Sequence, residues 1–313
     1  MQLGFDVPTP LAYFGLLVSS DEHFPLLEAA IAIGQDEYPE LDVEQVLGEV
    51  DQILARLKRR LPADSTSLAR LRILNQFFYH DLGFSGNINN YYDPDNSYPH
   101  AVLKTRRGIP ISLAVLWLEL AQGLGLNARG VSFPGHFMVK VNLPKGQVVI
   151  DPFTGQSLSR EDLHERLIPF NQQNGLADLN RQLQNMGDYG DALTVKDAKD
   201  AKDAKELPEA DIPLGLYLQA AKPRDIIARM LLNLKEVHKT AEDWQRMIPV
   251  QDRLIVLNPD AWCEFRDRGL AFAELGKATP AVRDFDVYLQ NVTDAPDVKA
   301  IALRAQELRR AVM

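Results

Sequence analysis

The sequence predicts an α+β protein: a helical N-terminal region, a core of one helix followed by three antiparallel strands, and an all-α region of helical repeats at the C-terminus. Three observations support that prediction. Between Arg106 and Gly155, an apolar helical run precedes three short β-rich segments broken by Pro-Gly and Pro-Lys-Gly. After Pro213, apolar positions with helical spacing recur at a period of about 34 residues. Between the two lies an unbroken Lys-Asp-Ala repeat that opens at Lys196 and closes at Lys205.

A chain of 313 residues, 46% hydrophobic and 25% charged, is long enough for two domains, each with a buried core. The expected plan is a helical region over 1–95, a core over 96–190, a charged linker over 191–212 and repeats over 213–313. No stretch approaches roughly 18 uninterrupted apolar residues, and the first residues lack a basic region followed by an apolar one. The expectation is a cytoplasmic protein that does not enter a membrane. A net charge of −9 argues against broad nucleic-acid binding, which needs clustered Lys and Arg.

Helices are expected over 10–18, 25–35, 43–60 and 67–81. The third shows the pattern clearly, with Val43, Val46, Leu47, Val50, Ile53, Leu54 and Leu57 on one face. Residues 81–98 change to a polar, aromatic loop rich in Asn and Asp, which bond their own backbone. Asn87, Tyr91, Tyr92 and Asn96 either wall a cleft or belong to a long turn stitched by side chains; the sequence leaves both open. Arg106 and Arg107 precede the core helix, where they bind an anion with its free amides or stand as solvated charge. Pro110 suits the first helical position, because its fixed φ is near helical and no amide is needed there. The helix continues to Leu124 and stops at Gly125; strands follow over 128–133, 136–143 and 147–150.

This order of helix and strands, with Ala114 one turn into the helix, His136 opening the second strand and Asp151-Pro152 ending the third, resembles the core of the transglutaminase-like (papain-like) superfamily. The resemblance implies a cysteine nucleophile at the helix N-terminus, a His as its base and an Asp that orients the His. His136 and Asp151 match the last two roles, whereas counting back from Ala114 and Leu124-Gly125 puts Pro110 at the cysteine position. The runs Asn96-Ser97-Tyr98, Arg107 to Leu113, Phe133 to Phe137 and Asp151 to Gly155 are similar to the SirB-type proteins, in which such a core precedes tetratricopeptide repeats.

A retained His136–Asp151 pair serves as catalytic machinery or as two buried groups that satisfy each other. Ser112 is the hydroxyl nearest the missing thiol, but two helical positions turn it roughly 200° away from Pro110. Cys263, the single cysteine, excludes an internal disulfide and a cysteine-based metal cluster. Its expected role is a small residue packed between helices. His23, His80, His100, His136, His164 and His238 lack metal-ligand spacing, no glycine-rich phosphate loop is present, and no cofactor or metal is expected.

In the C-terminal region, Gly269, Leu270, Ala281, Phe285 and Tyr288 resemble the tetratricopeptide pattern, with 298–312 as a capping helix. The leading expectation is a noncatalytic interaction or regulatory scaffold that binds a protein or peptide through its repeats or its core cleft. The alternative is a hydrolase or acid/base enzyme using His136 and Asp151, with or without Ser112.

Overall fold

Three helices of the N-terminal region begin at side-chain caps. The structure, a computed structural model, describes residues 8–172 and 214–312. The expected linker, with its repeat from Lys196 to Lys205, lies outside the described residues. Helix α1 (Pro10–Leu17) opens on Thr9, α3 (Val43–Lys58) on Asp42 and α4 (Ser67–Asn75) on Thr66. Each cap side chain accepts from a backbone amide that the helix leaves unpaired. Between α1 and α3, α2 (Leu26–Ala32) runs into a 3-10 turn at Ile33–Gln35.

The sequence predicts one helix over 67–81, but the α-helix ends at Asn75 and continues as a π-helical turn, Gln76–Asp81. The wider turn buries the consecutive side chains Phe77 and Phe78 together, which the ordinary helical advance of about 100° per residue disfavours. Residues 81–98 are also more structured than a loop. They contain β1 (Ser85–Gly86) and a 3-10 turn at Pro94–Ser97, and α5 (Pro99–Thr105) follows. Strand β2 (Arg107–Gly108) pairs in parallel with β1.

The central helix, α6 (Pro110–Gly123), buries 11 of its 14 residues. Pro110 stands at its first position, and Leu126 N–H to Ala121 O at 3.0 Å with Gly125 N–H to Gln122 O at 2.8 Å closes its end. Gly125 adopts φ 73°, where a side chain is strained. The following sheet is antiparallel in the order β3 (Asn127–Phe133), β4 (His136–Leu143), β5 (Gly146–Ile150), β6 (Ser157–Leu158), one strand more than the sequence pattern indicates. Ala128, Phe137, Val139, Val141 and Ile150 join the core containing α6. Val131, Phe133, Met138 and Val149 face the other way, where Leu163 and Leu167 of α7 (Arg160–Gln172) cover them with Leu214 of α8 (Leu214–Tyr217) and Leu218.

The C-terminal residues form α9 (Pro223–Thr240), α10 (Trp244–Leu257), α11 (Trp262–Glu274), α12 (Ala278–Asn291) and α13 (Val298–Val312). Ile226, Ile227, Met230, Leu231 and Leu234 of α9, with Val250, Leu254 and Leu257 of α10, belong to the same hydrophobic cluster as α6. A separate cluster around Ala281, Phe285, Tyr288, Ile301 and Ala305 joins α12 to α13. No described helix is long and apolar enough to cross a membrane.

Arg253 pins α10 to the N-terminal helices. It is 1% exposed, pairs with Asp36, donates to Ala32 O at 3.2 Å and lies over the Phe14 ring. Burial lowers its pKa to about 10, so it is still charged at neutral pH. Asp36→Ala should lower stability by about 3 kcal/mol in urea denaturation, because it strands a buried guanidinium. Adding Arg253→Met should recover most of the loss. An unchanged urea midpoint for Asp36→Ala would show that the pair supports nothing.

Candidate functional site

His136 opens β4 and Asp151 immediately follows β5. Val139 pairs with Ile150, so continuing the antiparallel register places Asp151 across from Met138, on the same face as His136. The side chains meet there, with His136 Nε2 2.8 Å from Asp151 Oδ1. The same oxygen accepts from Phe153 N–H at 2.9 Å, and Oδ2 accepts from Arg166 Nη2 of α7 at 3.2 Å. Burial raises the pKa of this carboxyl, but His136, the Phe153 amide and Arg166 together outweigh it and hold the group below the usual aspartate value. An ionised Asp151 fixes the proton of a neutral His136 on Nε2, leaving Nδ1 as the acceptor. Among the described residues Nδ1 makes no hydrogen bond, and the His136 side chain is 22% exposed. The arrangement orients the imidazole and leaves Nδ1 turned away from Asp151.

Backbone pairing brings the α6 N-terminus close to this pair. Phe153 O accepts from Gly86 N–H at 2.9 Å, and Gly86 pairs with Gly108, two residues before Pro110. Two strand-to-strand steps of about 5 Å each therefore separate the Phe153 backbone from the residues entering α6. Gly86 is required for this approach, since a Cβ there would lie 2.2 Å from the Phe153 ring. Pro110 is buried at the helix start and offers no nucleophilic atom.

Ser112 is fully buried and tied to the backbone. Its Oγ donates to Asn96 O at 2.5 Å and accepts from Ile109 N–H at 3.2 Å, closing the α6 N-terminus beneath the 94–97 turn. Cys263 lies in α11, and burial first, then Glu264, pushes its thiol up to about 11, well away from thiolate.

Within the 81–98 segment the amides of Asn87 and Asn96 hold the chain together. Asn96 donates to Asn90 O at 2.6 Å and Tyr91 O at 3.1 Å, and accepts from Asn87 Nδ2 at 2.9 Å. This stitching leaves Tyr91 and Tyr92 exposed, their rings edge to face, with Tyr91 6.1 Å from Phe153. Arg107 donates to Gly83 O and Arg106 O, while the Arg106 guanidinium lies 4.6 Å over the Phe84 ring. Both arginines are engaged by the 83–84 turn.

Sequence reasoning did not find Arg166 or Tyr79. Arg166 reaches Asp151 from a helix with no motif of its own, and Tyr79, half-buried with its hydroxyl enclosed, sits near Asp151 on the π-helical turn, its phenol pushed up by burial and by that charge. Among the described residues no cluster of three or more His, Cys, Asp or Glu side chains is placed to hold a metal ion.

Comparison with known proteins finds relatives over most of the chain. A family profile described as the transglutaminase-like superfamily matches residues 44–232, and one described as tetratricopeptide repeat matches residues 234–306. A UPF0162 protein of Xylella fastidiosa (strain Temecula1) is 35% identical over 276 residues, covering 88% of this chain and 86% of its own. A UPF0162 protein of Vibrio cholerae is 26% identical, covering 92% and 95%, and UPF0162 protein YchA of Escherichia coli (strain K12) is 24% identical, covering 87% and 88%. No solved structure matches the chain.

Because the folded pKa of Asp151 is depressed, its stabilisation is present above the ordinary value of 3.8 and is lost as pH falls through the lower folded value. Asp151→Asn should therefore cost roughly 2 kcal/mol at neutral pH. The gap to the unmodified protein should shrink below pH ~4, as read by urea denaturation across pH. A gap independent of pH would contradict the assignment. Ser112→Ala should cost about 1 kcal/mol, since it removes the hydroxyl's buried bonds while Ile109 N–H keeps its own 3.2 Å bond to Asn96 O. A thermal melt within error of the unmodified protein would refute the capping role.

Proposed function

The chain belongs to the transglutaminase-like superfamily, and from that premise we propose that it is a noncatalytic interaction or regulatory scaffold whose former active-site cleft binds a ligand without covalent reaction. The observation that supports this most is Pro110: the position that the family resemblance assigns to the thiol holds a residue with no nucleophilic atom. The neighbouring hydroxyl of Ser112 is already engaged on both sides. Tetratricopeptide repeats generally mediate protein–protein contact, and the helices matched over 234–306 are the second surface for a protein or peptide partner. The reading includes a cytoplasmic location and the SirB-type role of a core that works with its repeats.

The intact His136–Asp151 pair favours a second reading, a hydrolase or acid/base enzyme. Acyl probes directed at thiols and at serines separate the two. Under the scaffold reading the unmodified protein is unlabelled at the cleft. Pro110→Cys places a thiol at a helix N-terminus near His136, where both lower its pKa, and it should gain labelling that disappears with His136→Ala. Its stability should change by less than about 1 kcal/mol, because the first helical position needs no amide bond within the helix. Rapid labelling of Ser112 in the unmodified protein, abolished by His136→Ala, would overturn the scaffold reading.

A further inference from the structure

The last turn of α9, the first part of α10, the residues after the 3-10 turn at Ile33–Gln35 and Tyr98 border a cavity of about 460 Å³. That is the volume of a small-molecule site. None of its lining residues belongs to the His136–Asp151 site. Its charged side chains lie toward the rim, with Asp36, Asp243 and Arg246 30%, 35% and 51% exposed. His238 lies at depth, 2% exposed.

A histidine this buried ordinarily bonds through its ring. Among the described residues the His238 ring makes no hydrogen bond, yet neither nitrogen is sealed from solvent. The cavity that it lines is where such a partner would sit. Burial lowers its pKa from the ordinary histidine value, so the ring is neutral at pH 7 and one nitrogen offers a lone pair.

The charges around the ring do not balance. Arg253 pairs with Asp36, and Arg246 lies 2.6 Å from Glu37 through Nη2 and 3.7 Å from Asp243 through Nε. Three carboxylates thus face two guanidiniums, which leaves one negative charge uncompensated. Among the described residues Asp36 Oδ1, Glu37 Oε2 and Asp243 Oδ2 accept no hydrogen bond. A cavity rich in acceptors and short of positive charge suits a monocation that brings its own donors.

We propose that this cavity binds a primary alkylammonium group, from a lysine side chain of a peptide or a free diamine, held between His238 and the free carboxylate oxygens. An ammonium turns three N–H donors toward acceptors that come from separate segments. A planar guanidinium is best met by one carboxylate with both oxygens free, which none of the three offers. Among the described residues no cluster of three or more His, Cys, Asp or Glu is placed to hold a metal ion, so the chemistry points to an organic cation. Ile33, Tyr98, Pro249 and Val250 also line the cavity and give the methylene stem an apolar wall. The site goes beyond the scaffold reading and stands whether or not the His136 cleft reacts.

The test titrates the full chain, at neutral pH and constant ionic strength, with four probes: Nα-acetyl-lysine amide, its Nε-acetylated form, Nα-acetyl-arginine amide and the diamine cadaverine. Calorimetry reads affinity, and the His238 Cε1–H signal, identified among the six histidines by its loss in His238→Phe, reads place. At least one of the two amines should bind saturably and shift that signal, and the tighter of them identifies the source. The acetylated form should be at least about tenfold weaker than the lysine compound, and the arginine compound weaker as well. Glu37→Gln should weaken the amine about tenfold while the melting temperature changes little, because the pair it breaks is partly exposed. His238→Phe should weaken it similarly, and Glu37→Gln keeps the test decisive if that variant folds poorly. Equal binding of the amine and its acetylated form, a preference for the arginine compound, or undiminished affinity in Glu37→Gln would each overturn the site. So would the absence of a saturable His238 shift with either amine up to about 10 mM. Acyl-probe labelling at the His136 cleft would instead remove the noncatalytic reading and leave this titration unaffected.

Discussion

The rest of the architecture follows from a helix with almost no face for water. Glu119, Gln122 and Gly123 are the only residues of α6 that are not buried, so its apolar surface must be covered on every side. The sheet covers one side through Phe137, Val139, Val141 and Ile150, and helices α2 to α5 with α9 cover the others. A buried helix must also satisfy its ends. Ser112 ties the N-terminus to Asn96, Asn96 orders the 87–96 segment, and that segment holds Tyr91 6.1 Å from Phe153. The geometry of the candidate site is thus a consequence of closing one helix terminus without water.

Asp151 has the corresponding role on the sheet side. A carboxylate 2% exposed is stable only with several donors, and it has three: an imidazole, an amide and a guanidinium. Those donors join β4, the turn after β5 and α7, so the group that orients His136 also fastens three elements together. A structural function and an orienting function are not alternatives at this residue. The same hydrogen bonds perform both.

The C-terminal helices are held to one another by charge networks as well as by apolar contact. Lys235 of α9 lies 2.6 Å from Glu264 and 2.7 Å from Asp267 of α11, and these carboxylates outweigh the burial that would lower its pKa. Arg268 pairs with Asp252 of α10 and Asp284 of α12, spanning three consecutive helices. Such pairs add direction to packing that dispersion alone leaves free to slide. Because α9 and α10 share the hydrophobic cluster of α6, the helical region meets the core through continuous apolar packing, with Arg253 at its edge.

Much of this was legible in local sequence. Pro110 and Gly125 mark the ends of α6, and alternation with Pro-Gly and Pro-Lys-Gly breaks gives β3, β4 and β5 to within a residue, because turn chemistry and side-chain period act between near neighbours. The segments with weak local signals were less clear: the two-residue β1, β2 and β6, the seven-residue α5, and the π-helical turn that lets Phe77 and Phe78 both face inward. His136 and Asp151 are legible through a motif, yet Arg166 and Tyr79 join them from helical segments whose own patterns are unremarkable. Sequence alone determined where helices and strands start, stop and turn their apolar faces. Only the tertiary structure decided which polar groups meet inside, because those contacts join residues far apart in the chain, and burial there makes each one either paired or costly.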